Sequence, residues 1–317
     1  MAKRNLGYMG NPHLPKANSQ KDWTVERIRE YEKCKKDPVY FASQYFKIVS
    51  IDHGIIPIKL YKYQKDIIKS YIKERKICLS QCRQSGKSTV FTVILLHFAL
   101  FNDTKRIGIL ANKAATAREI LERVKLAYEH LPDWLKGGVK EWNKGSVVFE
   151  NDSSIIAAAT SSSAIRGTSL AAVLIDECGF VNKFADFLAS VLPTISSGKD
   201  SKLFMCSTPN GMNTWYDYVQ GAKNGTNGFK YFEVPWWMVP GRDEKWKKET
   251  IEQMNFDYQK FNQEHELEFL GSSGTLISGS CLTILGTKVQ QPIFESEEGF
   301  RQYVKPIRDH KYVVSAD

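Results

Sequence analysis

One stretch of nine residues restricts this chain more than any other. Gln81-Cys82-Arg83-Gln84-Ser85-Gly86-Lys87-Ser88-Thr89 lies between a short apolar run, Lys76-Ile-Cys-Leu-Ser80, and a long helical run that starts at Lys87. A strand that passes through a Gly-Lys-Ser turn into a helix is the context a phosphate-binding loop requires. Such a loop turns backbone N–H groups and the positive end of the helix toward an anion. Gly86 lets the backbone approach closely, Lys87 is expected on the β- and γ-phosphates, and Ser88 on Mg²⁺. The usual first glycine of the loop is Gln81 here. Without its flanking elements, the same tripeptide reads as a turn capping an ordinary helix.

The flanking pattern extends the argument to a fold class. Arg106-Ile-Gly-Ile-Leu-Ala111 reads as a strand, followed by a helix from about Lys113 to His130. Gly145 to Glu150 and Ser154 to Ala159 read as a hairpin turning at Asn151-Asp152. Ala171-Ala-Val-Leu-Ile175 is continuously apolar, as in a strand buried on both faces of a parallel sheet, and Lys202-Leu-Phe-Met-Cys206 is another. Strands alternating with helices imply an α/β domain, a mainly parallel sheet between helices over residues 56–235. This is the RecA/ASCE-like P-loop NTPase class. Residues 1–20 are polar and read as a flexible arm. Residues 21–55 read as the helical part of a smaller subdomain, with Asp37-Pro38 as a helix start. Residues 236–270, with Trp236, Trp237, Trp246 and the charged stretch Asp243 to Phe269, read as its mostly helical lid. Residues 271–280 read as a linker. The run before Asp317 reads as a strand cut off at its end, so a truncated chain is expected.

Composition narrows the partners. Lys and Arg outnumber Asp and Glu by 44 to 35, giving a net charge of +9. The excess favours a polyanion such as nucleic acid without proving one. The six cysteines form no CxxC pair and have no histidine at zinc-ligand spacing, so reduced thiols are expected, with no zinc site. Cys78, Cys178 and Cys206 flank apolar runs, where cysteine acts as a small buried hydrophobe. The N-terminal residues lack the apolar stretch of a signal peptide. The longest apolar run, Val90 to Phe101, contains Thr92 and His97 and is too short to span a bilayer.

Other residues gain meaning beside the loop. Val173-Leu-Ile-Asp176-Glu177 ends a buried strand in two carboxylates. Alone, such a pair is usually a solvated turn. Beside a phosphate loop, Asp176 is expected on Mg²⁺, and Glu177 is expected to orient and deprotonate the attacking water. Ser207-Thr208 ends another apolar strand. It is either a γ-phosphate sensor or a plain strand-to-turn junction. Arg83 and Arg166 could each act as an arginine finger, although surface arginines are common. Tyr63 and Gln64 could hold an adenine, but an amphipathic helix with an aromatic core face is the better reading from spacing alone.

In combination these residues resemble the large terminase subunits of tailed bacteriophages, most closely the T-even type. The likeness runs from about Lys59 to the C-terminus. It rests on Arg83-Gln-Ser-Gly-Lys-Ser88, Glu141-Trp-Asn-Lys-Gly145, Ile165-Arg-Gly167, Leu174-Ile-Asp-Glu-Cys178, Ser207-Thr-Pro-Asn-Gly211 and Gly274-Thr-Leu-Ile-Ser-Gly279. P-loops of this family commonly lack the first glycine. The resemblance implies an ATP- and Mg²⁺-dependent motor that pumps double-stranded DNA through a portal ring into a procapsid. It also implies a small terminase subunit as partner, a ring of copies on the portal, no membrane, and the host cell cytoplasm. Ser207-Thr208 then matches the coupling motif and Tyr63-Gln64 the adenine-binding motif. Arg83 matches a cis arginine and Arg166 a trans finger, an assignment on which terminases differ. Asp317 matches the first metal ligand of an RNase H-like nuclease beginning in residues 281–317. The remaining nuclease carboxylates lie outside this sequence, so no nuclease activity is expected of this chain.

Two other readings compete. A superfamily-2-like helicase shares the loop, the Asp-Glu pair and the Ser-Thr strand end, but it needs a second α/β repeat that the residues after 235 do not show. A nucleotide-gated scaffold has no need of Glu177 as a base.

Overall fold

The short apolar runs at 76–81, 106–111, 172–176 and 202–207 become strands of one sheet, buried on both faces as their continuous apolar character requires. The structure, a computed structural model, describes residues 7–50, 52–160, 169–196, 198, 200–269, 281, 285, 288–290, 292–296 and 300–311. Two helices, α1 (Val25–Lys36) and α2 (Pro38–Tyr45), lead into a hairpin, β1 (Lys47–Ser50) and β2 (Gly54–Pro57). Next come α3 (Lys62–Lys73), β3 (Lys76–Gln81), α4 (Lys87–Phe101), β4 (Arg106–Ala111) and α5 (Ala114–Glu129). They are followed by β5 (Val139–Trp142), β6 (Ser146–Phe149), β7 (Ser154–Ala159), β8 (Ala172–Asp176), α6 (Phe184–Ser196) and β9 (Lys202–Ser207). Then α7 (Thr214–Lys223), β10 (Lys230–Val234), α8 (Glu244–Gln253) and α9 (Tyr258–Phe261) precede a π-helical turn, Asn262–Glu266.

Eight strands form the sheet in the order β10-β3-β9-β8-β4-β7-β6-β5. β10 through β7 are parallel; β7, β6 and β5 are antiparallel. Successive residues serve opposite faces. Ile77, Leu79, Ile107, Ile109, Leu174 and Phe204 join one buried cluster with α1–α5, while Cys78, Leu110, Val173, Ile175, Leu203 and Met205 join another with α6 and α7. Each such buried aliphatic side chain contributes about 1.5–3 kcal/mol. Helix α4 is buried all round from Val90 to Phe101, which explains its uniformly apolar sequence.

Asp37 caps α2, accepting the Val39 and Tyr40 N–H groups at 2.9 Å each, with Pro38 at the first helical position. α1 and α2 do not stand apart as a separate subdomain. Cys34, Phe41 and Ala42 are buried in the same cluster as α4. Residues 7–20, read as an arm, are seated on the sheet edge. The Val139 N–H donates to Pro15 O at 2.9 Å, Lys16 bridges Val139, and Leu14 is buried. An isolated Leu and short backbone pairings leave no periodic signal, so the polar composition misled.

A third cluster, Cys82, Trp236, Val239, Ile251, Phe261 and Leu267, ties residues 236–267 to the end of β3. Residues 271–317 form a second unit, in which β11 (Phe294–Glu295) pairs antiparallel with β12 (Arg301–Gln302). None of the six cysteines forms a disulfide. Among the described residues, no helix is long and apolar enough to cross a membrane.

Candidate active site

The parallel strands β3, β9 and β8 are neighbours, and their C-terminal ends open into one crevice. The chain runs from β3 through α4 to β4, and β8 and β9 fill in between afterwards. Ligands of open α/β sheets bind at such switch points.

Between β3 and α4 the chain turns through Gln84 and Gly86, at φ +55° and +81°. The left-handed φ of Gly86 calls for glycine, and a Cβ there would lie 2.4 Å from Gln64 Nε2, so that side-chain end would have to shift. α4 begins at Gly86 with no side-chain cap and no acidic residue in its first turn. Its first N–H groups therefore remain for an anion. Three side chains brace the loop from behind. The Tyr63 hydroxyl and Gln81 Nε2 donate to Ser85 O at 2.7 and 2.9 Å, and the Ser85 hydroxyl donates to Cys82 O.

The Lys87 ammonium meets Asp176 Oδ1 at 2.7 Å. Burial alone pulls the Lys87 pKa down, but the nearby carboxylates, Asp176 foremost, outweigh it and hold it above the ordinary lysine value. Asp176 Oδ1 also accepts the Glu177 N–H at 2.8 Å and the Cys206 thiol at 3.2 Å. Burial pushes the Cys178 and Cys206 thiols well up, so both stay protonated. Glu177 has φ +55° and ψ +39°, a left-handed conformation that costs a non-glycine residue about 1–2 kcal/mol. Strained non-glycine residues of this kind cluster at functional sites. The following loop is clamped by the end of β9. Gly179 N–H donates to Ser207 Oγ at 3.1 Å, and Asn210 and Asn213 donate to Gly179 O at 2.8 and 2.9 Å.

A cavity of ≈ 430 Å³ joins the loop residues Gln81–Gln84 and Gly86–Thr89 with Asp176, Glu177, Ser207 and Thr208. α5 adds Thr116, Glu119 and Arg123. A larger cavity of ≈ 850 Å³ adjoins it, between β1, α4 and α5, and shares Thr89, Glu119 and Arg123. Of the two, the smaller contains Lys87 and the two carboxylates, Asp176 and Glu177.

The fold thus brings together Gln81 through Thr89, Asp176, Glu177, Ser207 and Thr208. Tyr63 and Gln64 are buried against the loop; Gln64 Oε1 accepts the Tyr61 N–H at 2.9 Å. Arg83 faces a partner no motif announced. Its Nε and Nη2 donate to Glu264 Oε2 and Oε1 at 2.8 and 3.1 Å. Arg242 was equally silent in sequence: Nη2 donates to Arg83 O and Gln84 O at 3.0 and 3.1 Å. Glu264 lies in the charged helical stretch and Arg242 in the turn just before it, where such residues usually face solvent. Only the fold shows that two of them reach back to residues 83 and 84. Arg166 and Asp317 lie outside the described residues.

Comparison with known proteins agrees with this geometry. The family model described as "Terminase large subunit, T4likevirus-type, N-terminal" matches residues 78–284. The large terminase ATPase domain of Thermus phage P74-26 is 22% identical, with a TM-score of 0.57 over 67% of this chain and 94% of that one. The HK97 bacteriophage large terminase is 16% identical, with a TM-score of 0.61 over 82% of this chain and 59% of that one. The large terminase of a thermophilic bacteriophage, in complex with ATP-γ-S, is 11% identical, with a TM-score of 0.53 over 67% of this chain and 53% of that one. At these identities the structures establish the fold, a P-loop NTPase-like parallel sheet. The family match covers 207 residues (284 − 78 + 1), most of the chain, and favours packaging over the helicase alternative. With the loop, the paired carboxylates and this match in place, the chain belongs to the T4-like family of terminase large subunits, of which it carries the N-terminal ATPase part.

Proposed function

We propose that the crevice hydrolyses ATP to drive double-stranded DNA into a procapsid. The single observation behind it is the Lys87–Asp176 pair at 2.7 Å, held at the open end of the sheet beside the left-handed Glu177. An ammonium and a carboxylate kept in contact inside a phosphate-sized cavity are the charges that MgATP would exchange for its own. In this reading the loop N–H groups and Lys87 hold the phosphates. Glu177 orients the water and takes its proton. Ser207 and Thr208 carry the state of the site into the Gly179 loop. Arg83 acts on phosphate in cis and Arg166 reaches a neighbouring copy in a ring.

The residues present fit Mg²⁺: the Ser88 hydroxyl and the Asp176 carboxylate are hard oxygen donors, and Mg²⁺ is usually held by one or two carboxylates with substrate phosphates. When bound, it neutralises charge between phosphate oxygens. Tyr63 braces the loop through Ser85 O and Gln64 packs beside Gly86 while bonding the Tyr61 N–H; a role for both on adenine belongs to the family reading. We further assign residues 281–317, ending in Asp317, to the start of a nuclease part. The portal, the procapsid and a small terminase subunit complete the proposed partners, in the host cytoplasm.

The test is the ATPase rate per chain against protein concentration. Glu177→Gln should lower it by on the order of 100-fold or more. In the wild type the rate should climb with concentration, and Arg166→Ala should stay flat. Hydrolysis that survives Glu177→Gln would falsify the site.

A further inference from the structure

Cysteine at the end of an apolar run acts by default as a small buried hydrophobe. Cys78 and Cys178 fit that description, in the cluster that packs α6 and α7 on the sheet. Cys206 serves the other face. It is fully buried in the cluster with α4, the helix that begins at Lys87. Its register partner on the neighbouring parallel strand β8 is Asp176, so the two side chains leave the sheet on one face. The Cys206 thiol lies 3.2 Å from Asp176 Oδ1, and its other acceptor, Ile175 O, is further off at 3.7 Å. An ionised carboxylate only accepts, so the thiol is the donor. Oδ1 thus gathers three donors: the Lys87 ammonium, the Glu177 N–H and the Cys206 thiol. Among the described residues, no hydrogen bond reaches Oδ2. In the ATPase reading Lys87 moves to the phosphates, which leaves the Glu177 N–H and the Cys206 thiol on Oδ1.

We propose that Cys206 is a positioning residue for the hydrolysis site: its thiol holds Oδ1 of Asp176 and thereby keeps Oδ2 for a divalent cation. The inference rests on the reading that Asp176 binds Mg²⁺. A carboxylate turns about its last bond unless one oxygen is held, and partners that hold a metal ligand in place typically matter about 10–100-fold to metal affinity. A thiol is a weak donor, so the low end of that range applies. Because Cys206 directly precedes Ser207 and Thr208, the thiol also ties the carboxylate to the strand that leads into them.

The experiment measures the Mn²⁺ affinity of the ADP-bound chain, by paramagnetic resonance of the free ion, and the ADP affinity in EDTA with no divalent cation. It uses wild type, Cys206→Ala, Cys206→Ser and Asp176→Asn. Cys206→Ala should weaken Mn²⁺ binding by about tenfold, while ADP affinity in EDTA changes less than about twofold. Cys206→Ser keeps a donor, and a stronger one than the thiol. It should hold Mn²⁺ affinity within about threefold of wild type, even though a buried hydroxyl lowers the urea midpoint. A thiol that only packs gives the opposite order, with alanine tolerated and serine the worse. Wild-type Mn²⁺ affinity in Cys206→Ala, an equal loss in EDTA, or a serine variant no better than alanine overturns the proposal. Should Cys206→Ala fail to fold, the wild type still decides. Its S–H stretching band, assigned by its loss in Cys206→Ser, should keep the low frequency of a bonded thiol when Mn²⁺ and ADP bind. A shift to the frequency of an unbonded thiol means that the carboxylate has left Cys206, and positioning is wrong. Asp176→Asn that binds Mn²⁺ as wild type does overturns the metal reading of Asp176 and this inference with it. A loss in Asp176→Asn beside wild-type affinity in Cys206→Ala overturns this inference alone.

Discussion

Lys87, Asp176 and Glu177 were legible one by one in the sequence because each ends or begins an element with a strong apolar signature. The structure adds why their neighbours have to be what they are. Gly86 is in the left-handed region and has Gln64 against it. Gly86→Ala should therefore lose about 1–2 kcal/mol from conformation alone, with an added cost for moving Gln64. The urea midpoint should fall, and because a Cβ at residue 86 enters the turn that presents the loop N–H groups, the dissociation constant for ATP should rise. Unchanged binding would mean the loop does not take the shape described here. Glu177 is the opposite case, a left-handed residue that is not glycine. Its conformation persists because Asp176 accepts its N–H and the β9 end clamps Gly179. No sequence pattern marks such a residue.

At the scale of elements, α3 supports the loop from behind. Tyr63 and Gln64 fall on the buried face of an amphipathic helix, as their spacing suggested, and that face packs against the loop itself. Tyr63→Phe removes one of two hydrogen bonds to Ser85 O and leaves that from Gln81. The expected loss is about 1 kcal/mol of stability, with a raised KM for ATP and little change in kcat. A loss in kcat alone would argue against a bracing role. The elements that escaped notice were short edge strands. β5 and β10 each hold one buried residue, at one end, beside exposed and half-buried ones, and β1 and β2 have only exposed and half-buried residues. Edge strands gain their identity from the neighbour they pair with, and sequence periodicity does not report that neighbour.

Two buried histidines contribute to the response of the molecule to acid. Cys34 O can only accept, so His97 Nε2 carries the proton and Nδ1 accepts from the Tyr71 hydroxyl. Burial lowers the pKa of His97 to about 4, and burial aided by Arg242 lowers that of His265 to about 4. Both folded values lie below the unfolded value near 6.5. Below about pH 6.5 the unfolded chain binds more protons, so stability present at neutral pH declines toward about pH 4. A urea midpoint measured from pH 7.5 to 4.5 should fall, and His97→Gln should flatten part of that fall. An unchanged slope would mean His97 is not buried neutral. What the sequence by itself determined was the α/β class, the phosphate loop, the paired carboxylates and the order of the central strands and helices. These are local: each is written in apolar spacing and in the residues at a strand end or helix start. Only the tertiary structure decided that residues 7–20 lie on the sheet edge, that α1 and α2 belong to the main core, and that Arg83 faces Glu264. Those contacts join residues far apart in the chain, 181 positions in the last case, and their energy comes from burial and charge pairing that exist only after folding.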